Sequence, residues 1–335
     1  NLNFSVGMNY EYANLKGNQS FPQPEKVHKT FSRFLPTFMM NYKFSDINNL
    51  RIFYRTSTDA PSITELQTAI DNSDRLRIST GNPNLKQSYS HNFMSHYSYA
   101  NPTSGFNAFL FLRGSYSKDI MGYKTILAGA DTLRNPEGID VILLPGQQLS
   151  YPVNLDHSWQ FNTMLNLSYF LKPVKSNISL VNGFGYSYSP AYIQNLINDQ
   201  KSFNITNSLI VTSNISSNVD FTLSYTSNYS KARNSINSLE KNQEYWYQSG
   251  SAKINLVFWK GMTFSTDVVG QINKMSQGSA SDYSEKYMVW NAGIGKKFLK
   301  NNAAELKVGA YDILNQNKSY FHTVNASYTR DTWTN

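Results

Sequence analysis

Residues 2–12 read LNFSVGMNYEY, and this stretch decides the fold class. Its even positions are all apolar or aromatic, whereas its odd positions carry Asn, Ser, Gly and Glu. A period of two residues places one set on each face of a β-strand. The same period returns in residues 159–171, 177–188 and 219–225, so the sequence predicts an all-β protein.

The amino-acid composition supports this fold class and excludes some classes of binding partner and metal site. The 335 residues include 23 Tyr and 20 Phe, which favour strands, and only 16% of them are charged. The net charge of +8 comes from Lys and Arg that are scattered singly, without a basic stripe, so we expect no nucleic-acid partner. The chain has no cysteine, which excludes disulfides and thiolate metal sites within it.

Thirteen candidate strands follow from the alternation, and their connections alternate between short and long. The strands are predicted at 2–12, 31–44, 49–56, 87–99, 105–118, 157–171, 177–188, 202–213, 218–229, 245–258, 262–272, 286–299 and 303–314. The long connections, all on one side, are 13–30, 57–86, 119–156, 189–201, 230–244 and 273–285. A soluble sandwich has no reason to separate its loops by length, whereas outer-membrane barrels do. The sequence therefore predicts a transmembrane antiparallel up-and-down β-barrel in the bacterial outer membrane, in contact with its lipid.

The alternation also predicts the sidedness of individual residues. We expect one set to face lipid: Leu2, Phe4, Val6, Trp159, Leu165, Leu167, Ile178, Leu180, Phe184, Phe221 and Leu223. A second set is predicted to face the lumen: Asn3, Ser5, Asn162, Asn166, Asn177, Ser179 and Thr222. A slip of one residue in register reverses both assignments, so they depend on the exact strand pairing.

An odd number of strands does not close a typical bacterial barrel, because such barrels have an even count. We therefore expect residues 1–335 to form part of one outer-membrane β-barrel domain. Upstream strands, a plug domain and a final strand are expected to lie outside this sequence.

Several short motifs resemble the barrel of TonB-dependent receptors of the Bacteroidetes type. A Pro-Ser-x-x-x-Leu element precedes Gly-Asn-Pro-x-Leu, and an Asp-hydrophobic-Leu-Asn element stands near the end. The motif residues are Pro61, Ser62, Leu66, Gly81, Asn82, Pro83, Leu85, Asp312, Leu314 and Asn315. Turn chemistry accounts for the Gly-Asn-Pro element, with Pro83 fixing its φ and Gly81 free to take a positive φ. We therefore expect a structural role for it and assign no ligand-binding residue.

The resemblance implies a larger transport protein. It implies a barrel of about twenty-two strands around an N-terminal plug domain, with TonB bound through an N-terminal region. It also implies that a nutrient captured on the outer loops is imported into the periplasm with energy from the inner membrane. A surface lipoprotein or another outer-membrane protein is a further candidate partner. A passive pore of about fourteen strands and a barrel scaffold in a surface assembly stay open as alternatives.

The sequence predicts no catalytic or cofactor site. His91 and His96 share a candidate strand at an odd spacing, so they point to opposite faces and cannot chelate one metal ion together. Among the histidines, only His157, beside Asp156, approaches an acid–base pair. We therefore expect no enzyme activity and no cofactor.

Overall fold

The protein is described by a computed structural model that covers residues 1–20, 24–129, 131–134, 139–193, 195–213, 215–216, 218–236, 242–277, 280–299, 303–317, 319–324 and 329–334. Its strands are β1 (Leu2–Gln19), β2 (Glu25–Ser45), β3 (Asn48–Asp59), β4 (Arg77–Ser79), β5 (Ser88–Asn101), β6 (Phe106–Leu127), β7 (Leu133–Arg134), β8 (Ile142–Leu143), β9 (Gln148–Leu171), β10 (Ser176–Ile193), β11 (Leu196–Ser213), β12 (Val219–Arg233), β13 (Asn242–Phe258), β14 (Met262–Gln277), β15 (Ala280–Phe298), β16 (Ala304–Ala310), β17 (Ser319–Val324) and β18 (Thr329–Thr334). One helical turn, α1, spans Ile63–Leu66.

Thirteen of these strands form one antiparallel meander. Their order is β1, β2, β3, β5, β6, β9, β10, β11, β12, β13, β14, β15 and β16, and each pairs with its neighbour in this order. The predicted fold class, all-β with up-and-down connectivity, is confirmed. Within the described residues, no helix is long and apolar enough to cross a membrane.

The register of the ladders separates the alternating side chains onto two faces. Leu180 stands opposite Leu167 and Leu209, whereas its neighbour Ser179 stands opposite Ser168. Followed across the sheet, this register places every predicted lipid-facing residue on the face of Leu180 and every predicted lumen-facing residue on the face of Ser179. The predicted separation is confirmed. We call these the outer face and the lumen face.

The strands are longer than predicted, so the predicted loop boundaries are wrong. β1 and β2 occupy most of the predicted connection 13–30, and β9 begins at Gln148, well before the predicted start. The reason is that hairpin stems keep their backbone N–H and C=O groups paired beyond the apolar band. Polar pairs also join the stems, such as the His28 ring nitrogen and the Asn14 side-chain oxygen, 3.1 Å apart.

The last predicted strand, 303–314, is also wrong at its end, because β16 stops at Ala310. Asp312 has a φ of 46°, and its carboxylate accepts hydrogen bonds from the backbone N–H groups of Gln316 and Asn317, both at 3.0 Å. The chain therefore turns here instead of continuing the ladder, because the carboxylate satisfies donors that a strand would pair with its neighbour.

One pairing departs from the antiparallel expectation. β4 pairs in parallel with the outer end of β9, where Ile78 stands opposite Leu149. The ladder between β9 and β10 stops at the pair Trp159 and Tyr188, which leaves room for β4 beside β9. A small apolar core forms at this end of the sheet from Ile78, Ile126, Ala128, Leu143, Leu149 and Tyr151.

The sheet has two open edges. Among the described residues, β1 pairs only with β2, β16 pairs only with β15, and β17 and β18 form a separate hairpin. In hydrocarbon an unpaired edge leaves backbone N–H and C=O groups unsatisfied, which is strongly unfavourable. Both edges therefore need pairing partners in the membrane.

Candidate functional site

The segment between β3 and β5, residues 60–87, is a compact structure that we call the outer cap. It begins with α1, whose first turn is closed by a capping box. The Glu65 backbone N–H donates to the Ser62 hydroxyl at 3.2 Å, and the Ser62 N–H donates to the Glu65 carboxylate at 2.8 Å. This exchange satisfies two donors that a helix start otherwise leaves unpaired.

Glu65 is held in its charged form. Burial disfavours the charge, but hydrogen bonds from the Ser62 backbone and hydroxyl, and from the Tyr123 hydroxyl, outweigh this effect. The pKa of Glu65 therefore lies below its ordinary value. Sequence reasoning missed Glu65, although Ser-x-x-Glu at residues 62–65 is a recognisable capping signal.

Gly81 and Asn82 join the far end of the outer cap to its helical turn. The Gly81 N–H donates to the Gln67 carbonyl at 2.9 Å, and the Asn82 N–H donates to the Glu65 carbonyl at 2.6 Å. A Cβ atom on Gly81 would lie only 2.3–2.7 Å from the carbonyl oxygens of Gln67, Glu65 and Thr64. Close backbone approach therefore requires a glycine at position 81. Gly81 does not use the positive φ that was open to it, since the described glycines with positive φ are Gly105, Gly146 and Gly261.

The remaining motif residues of the outer cap are buried or anchor it to the sheet. Pro61 is buried, and Leu66 and Leu85 are each only 1% exposed. The Asn82 side chain donates to the Pro152 carbonyl at 3.0 Å, and the Pro83 carbonyl accepts a hydrogen bond from Lys29 at 2.7 Å. The structure therefore brings the first seven motif residues together in one unit. Asn154, which sequence reasoning missed, fixes its end by bonding the backbone N–H and carbonyl of Lys86.

The outer cap folds against the lumen face of the sheet. Thr58 and Gln87, at its two stems, both donate to the Glu11 carboxylate of β1, at 2.5 and 2.7 Å. A Cβ atom on Gly17 would meet the Ile63 side chain at 2.6 Å, so α1 contacts β1 there. Glu11 and Gly17 are odd-numbered residues of β1 and lie on the lumen face. The outer cap therefore covers the outer end of the lumen beside β1.

The second motif group lies elsewhere on the sheet. Asp312 accepts two backbone hydrogen bonds in the turn after β16, and its own N–H donates to the Asn291 side chain at 2.8 Å. Leu314 is half-buried, and the Asn315 N–H donates to the Asp312 carbonyl at 2.8 Å. No described contact joins this turn to the outer cap. The structure thus gives the motif two separate anchoring points.

The lumen face also carries an apolar surface that sequence reasoning missed. A cavity of about 830 Å³, which we call the lumen cavity, lies over β1, β2, β3, β5, β6 and β9. Its apolar lumen-face lining consists of Met39, Phe53, Met94, Phe109, Phe111 and Met164. Met39 is 54% exposed and Met164 47%. The sequence signal was the run FLFL at 109–112, because a strand that is apolar on both faces is typical of one covered on both faces.

Basic and amide side chains border the lumen cavity. Arg51 and His96 are direct cross-strand partners on β3 and β5, and Arg113 stands opposite Met94. Neither arginine has an ion pair within the described part of the chain. The side-chain oxygen of Asn41, which stands opposite Arg51, is buried and has no hydrogen-bond partner among the described residues. The cavity is therefore largely apolar, with the Arg51 guanidinium as the permanent positive charge among its lining residues.

The histidines show no arrangement for catalysis or metal binding. His91 lies on the outer face beside Tyr54 and His96 on the lumen face, so their predicted separation is confirmed. His157 Nδ1 lies 2.8 Å from the Asp156 carboxylate, and its ring lies beside those of Tyr116 and Tyr188. In the described ranges no group of three His, Cys, Asp or Glu side chains is placed to hold a metal ion.

An antiparallel meander with an apolar outer face and a separate lumen face defines the wall of a membrane β-barrel. Residues 1–209 match the outer membrane protein β-barrel family, and the chain belongs to that family. It is therefore a protein of the bacterial outer membrane, and its outer face contacts lipid. No curated protein matches the sequence significantly.

The chain shares its fold with a solved receptor structure. The siderophore receptor PiuA from Acinetobacter baumannii superposes with a TM-score of 0.51 at 10% identity, over 95% of this chain and 49% of the receptor. The chain thus spans about half the length of that receptor. LpxR from Salmonella typhimurium reaches a TM-score of 0.21 at 9% identity, over 76% of this chain and 86% of LpxR, which is too low to inform the fold.

Proposed function

We propose that this chain forms part of the barrel of a TonB-dependent receptor, which captures a nutrient at the cell surface and imports it into the periplasm. The observation that carries the proposal is the superposition of nearly the whole meander on half of a siderophore receptor. The resemblance of the motif residues to Bacteroidetes-type receptors adds support. We propose no identity for the nutrient, because two chains with 10% identity share a fold without necessarily sharing a ligand.

The proposal accounts for the two open sheet edges. Further strands would pair with β1 and β16 and complete a barrel of about twenty-two strands, wide enough for an N-terminal plug domain. TonB would bind through a region upstream of this sequence. In this architecture the motif residues of the outer cap and of the Asp312 turn are structural anchors, and the outer loops are free to bind a nutrient, a surface lipoprotein or another outer-membrane protein.

We also propose that the role is not enzymatic. Support comes from the hydrogen bond between His157 and Asp156, which are adjacent residues of one strand. Tyrosine rings flank the His157 ring. An acid–base catalyst needs a second reactive group in reach of the same substrate atom. Beside this pair stand the rings of Tyr116 and Tyr188, and the Tyr188 hydroxyl already donates to the Asp199 carboxylate at 2.7 Å.

The full-length protein and the purified periplasmic domain of TonB from the same bacterium provide a direct test. We expect the two to co-elute in detergent and the complex to be lost when the N-terminal region of the receptor is deleted. We also expect the intact protein to remain closed in a planar lipid bilayer, because a plug fills a barrel of this type.

The alternatives give different results in the same two assays. Steady ion conductance without TonB binding would establish the passive pore. If the protein neither conducts ions nor binds TonB, and a partner protein co-purifies with it in stoichiometric amount, the scaffold function would be established. Either result would replace the receptor proposal.

A further inference from the structure

The lumen cavity combines features that a water-filled barrel wall does not need. Met39, Phe53 and Met94 stand side by side as cross-strand partners on β2, β3 and β5. Phe111 and Met164 form a second apolar pair on β6 and β9. Exposed apolar side chains gathered in one patch mark a binding surface, because isolated ones are common but contiguous ones are not.

Positive charge lies within this patch. Arg51 lines the lumen cavity between Asn41 and His96, in the cross-strand row directly beside Phe53 and Met94. A guanidinium presents five N–H donors and favours a carboxylate, sulfonate or phosphate as partner. Since no acidic side chain pairs with Arg51 in the described part of the chain, an anion from outside would meet an unneutralised charge.

We propose that the lumen cavity binds a lipophilic organic anion, a molecule with an apolar body and one anionic group. The body lies on the Met and Phe side chains, and the anionic group contacts Arg51. A volume of about 830 Å³ accommodates such a molecule, since ligand pockets span roughly 300–1,000 Å³. The site does not depend on energised import. In a pore the molecule would lie on the wall alone, and in a receptor it would lie between the wall and the plug.

The test uses the full-length protein in lipid nanodiscs and two fluorescent probes that share an aromatic body. Anilinonaphthalene sulfonate carries the anionic group, and phenylnaphthylamine lacks it. Empty nanodiscs correct for partition into lipid. We expect saturable binding of both probes, with the sulfonate bound more tightly.

Two variants separate the charge from the apolar surface. Arg51→Gln should weaken binding of the sulfonate about tenfold and leave the uncharged probe unchanged, because a charge-assisted hydrogen bond is lost. Met94→Gln should weaken both probes. Arg55→Gln is the matched control, since Arg55 lies on the same strand and face but outside the cavity lining, and it should change neither.

The outcomes that overturn the proposal are equally specific. Equal loss of sulfonate binding in Arg51→Gln and Arg55→Gln would reduce the effect to general electrostatic attraction. Absence of saturable binding of either probe would show that another part of the full-length protein covers this surface. Because the assay measures binding and not uptake, these results are distinct from failure of the receptor proposal.

Discussion

At the scale of single residues, Glu65 connects several parts of the outer cap. Its carboxylate closes the capping box with Ser62 and accepts a hydrogen bond from Tyr123 of β6 at 3.1 Å. Its backbone carbonyl accepts the N–H of Asn82. One side chain thus joins the helical turn, the Gly-Asn-Pro element and the sheet.

The lowered pKa of Glu65 predicts that the outer cap loosens in acid. Its contribution to the stability of the cap is present above the ordinary pKa, near 4.5, and is lost as the pH falls through the lower pKa of the folded cap. Hydrogen-exchange protection factors of the backbone amides in residues 62–67, corrected for intrinsic rates, should fall over this range. Glu65→Gln should remove this pH dependence; the same acid transition in both proteins would contradict the assignment.

Sidedness is testable at Leu180, which is 39% exposed on the outer face. Leu180→Arg should reduce the free energy of unfolding from liposomes by about 2–4 kcal/mol, because the new charge enters hydrocarbon. Ser179→Arg, on the lumen face of the same strand, is the control and should have a much smaller effect. Equal losses for the two variants would mean that Leu180 does not face lipid.

At the scale of elements, the meander and the outer cap differ in how far the sequence predicts them. The meander follows from the two-residue period, which each strand carries in its own residues, so its strand number, pairing order and faces were predictable. The cap depends on contacts such as that between Asn154 and Lys86, which are far apart in the chain. Local alternation contains no information about such contacts, and the same limit applies to the lumen cavity.

The apolar interior of the outer cap predicts the effect of Leu85→Ala. Leu85 is almost fully buried, so truncation should destabilise the cap by about 2–5 kcal/mol through lost burial and a residual cavity. Trypsin cleavage after Arg75 and Arg77 reports this opening and should become faster. Leu144→Ala, which removes a side chain that is 55% exposed, should leave the cleavage rate unchanged. Faster cleavage in the control alone would refute the packing argument.

At the scale of the whole molecule, the open edges of β1 and β16 decide the architecture. If they paired with each other through one added strand, the barrel would have about fourteen strands and little room for a plug. If they pair with a longer series of strands, as in a barrel of about twenty-two, the thirteen strands described here are roughly three-fifths of the wall. The receptor proposal requires the second arrangement, and the passive pore requires the first.

Mass spectrometry of the protein purified from its native membrane distinguishes the two arrangements. The receptor proposal predicts a mass about twice the 38.1 kDa of this sequence or more. The extra mass would supply the remaining strands and the plug. A mass near 40 kDa would leave the passive pore as the better function.

Glu11 holds both stems of the outer cap against β1, and this has a practical consequence for genetic insertion. The hydrogen bonds from Thr58 and Gln87 to Glu11 hold the two ends of the intervening loop together. Doubling the length of a loop whose ends are held together costs only about 0.6 kcal/mol of closure entropy. The exposed bend at residues 72–76 should therefore accept a short epitope tag. Antibody staining of intact cells with the tag at this bend would then show which side of the outer membrane the cap occupies, and a tag that stains only after permeabilisation would reverse the orientation assigned to the barrel.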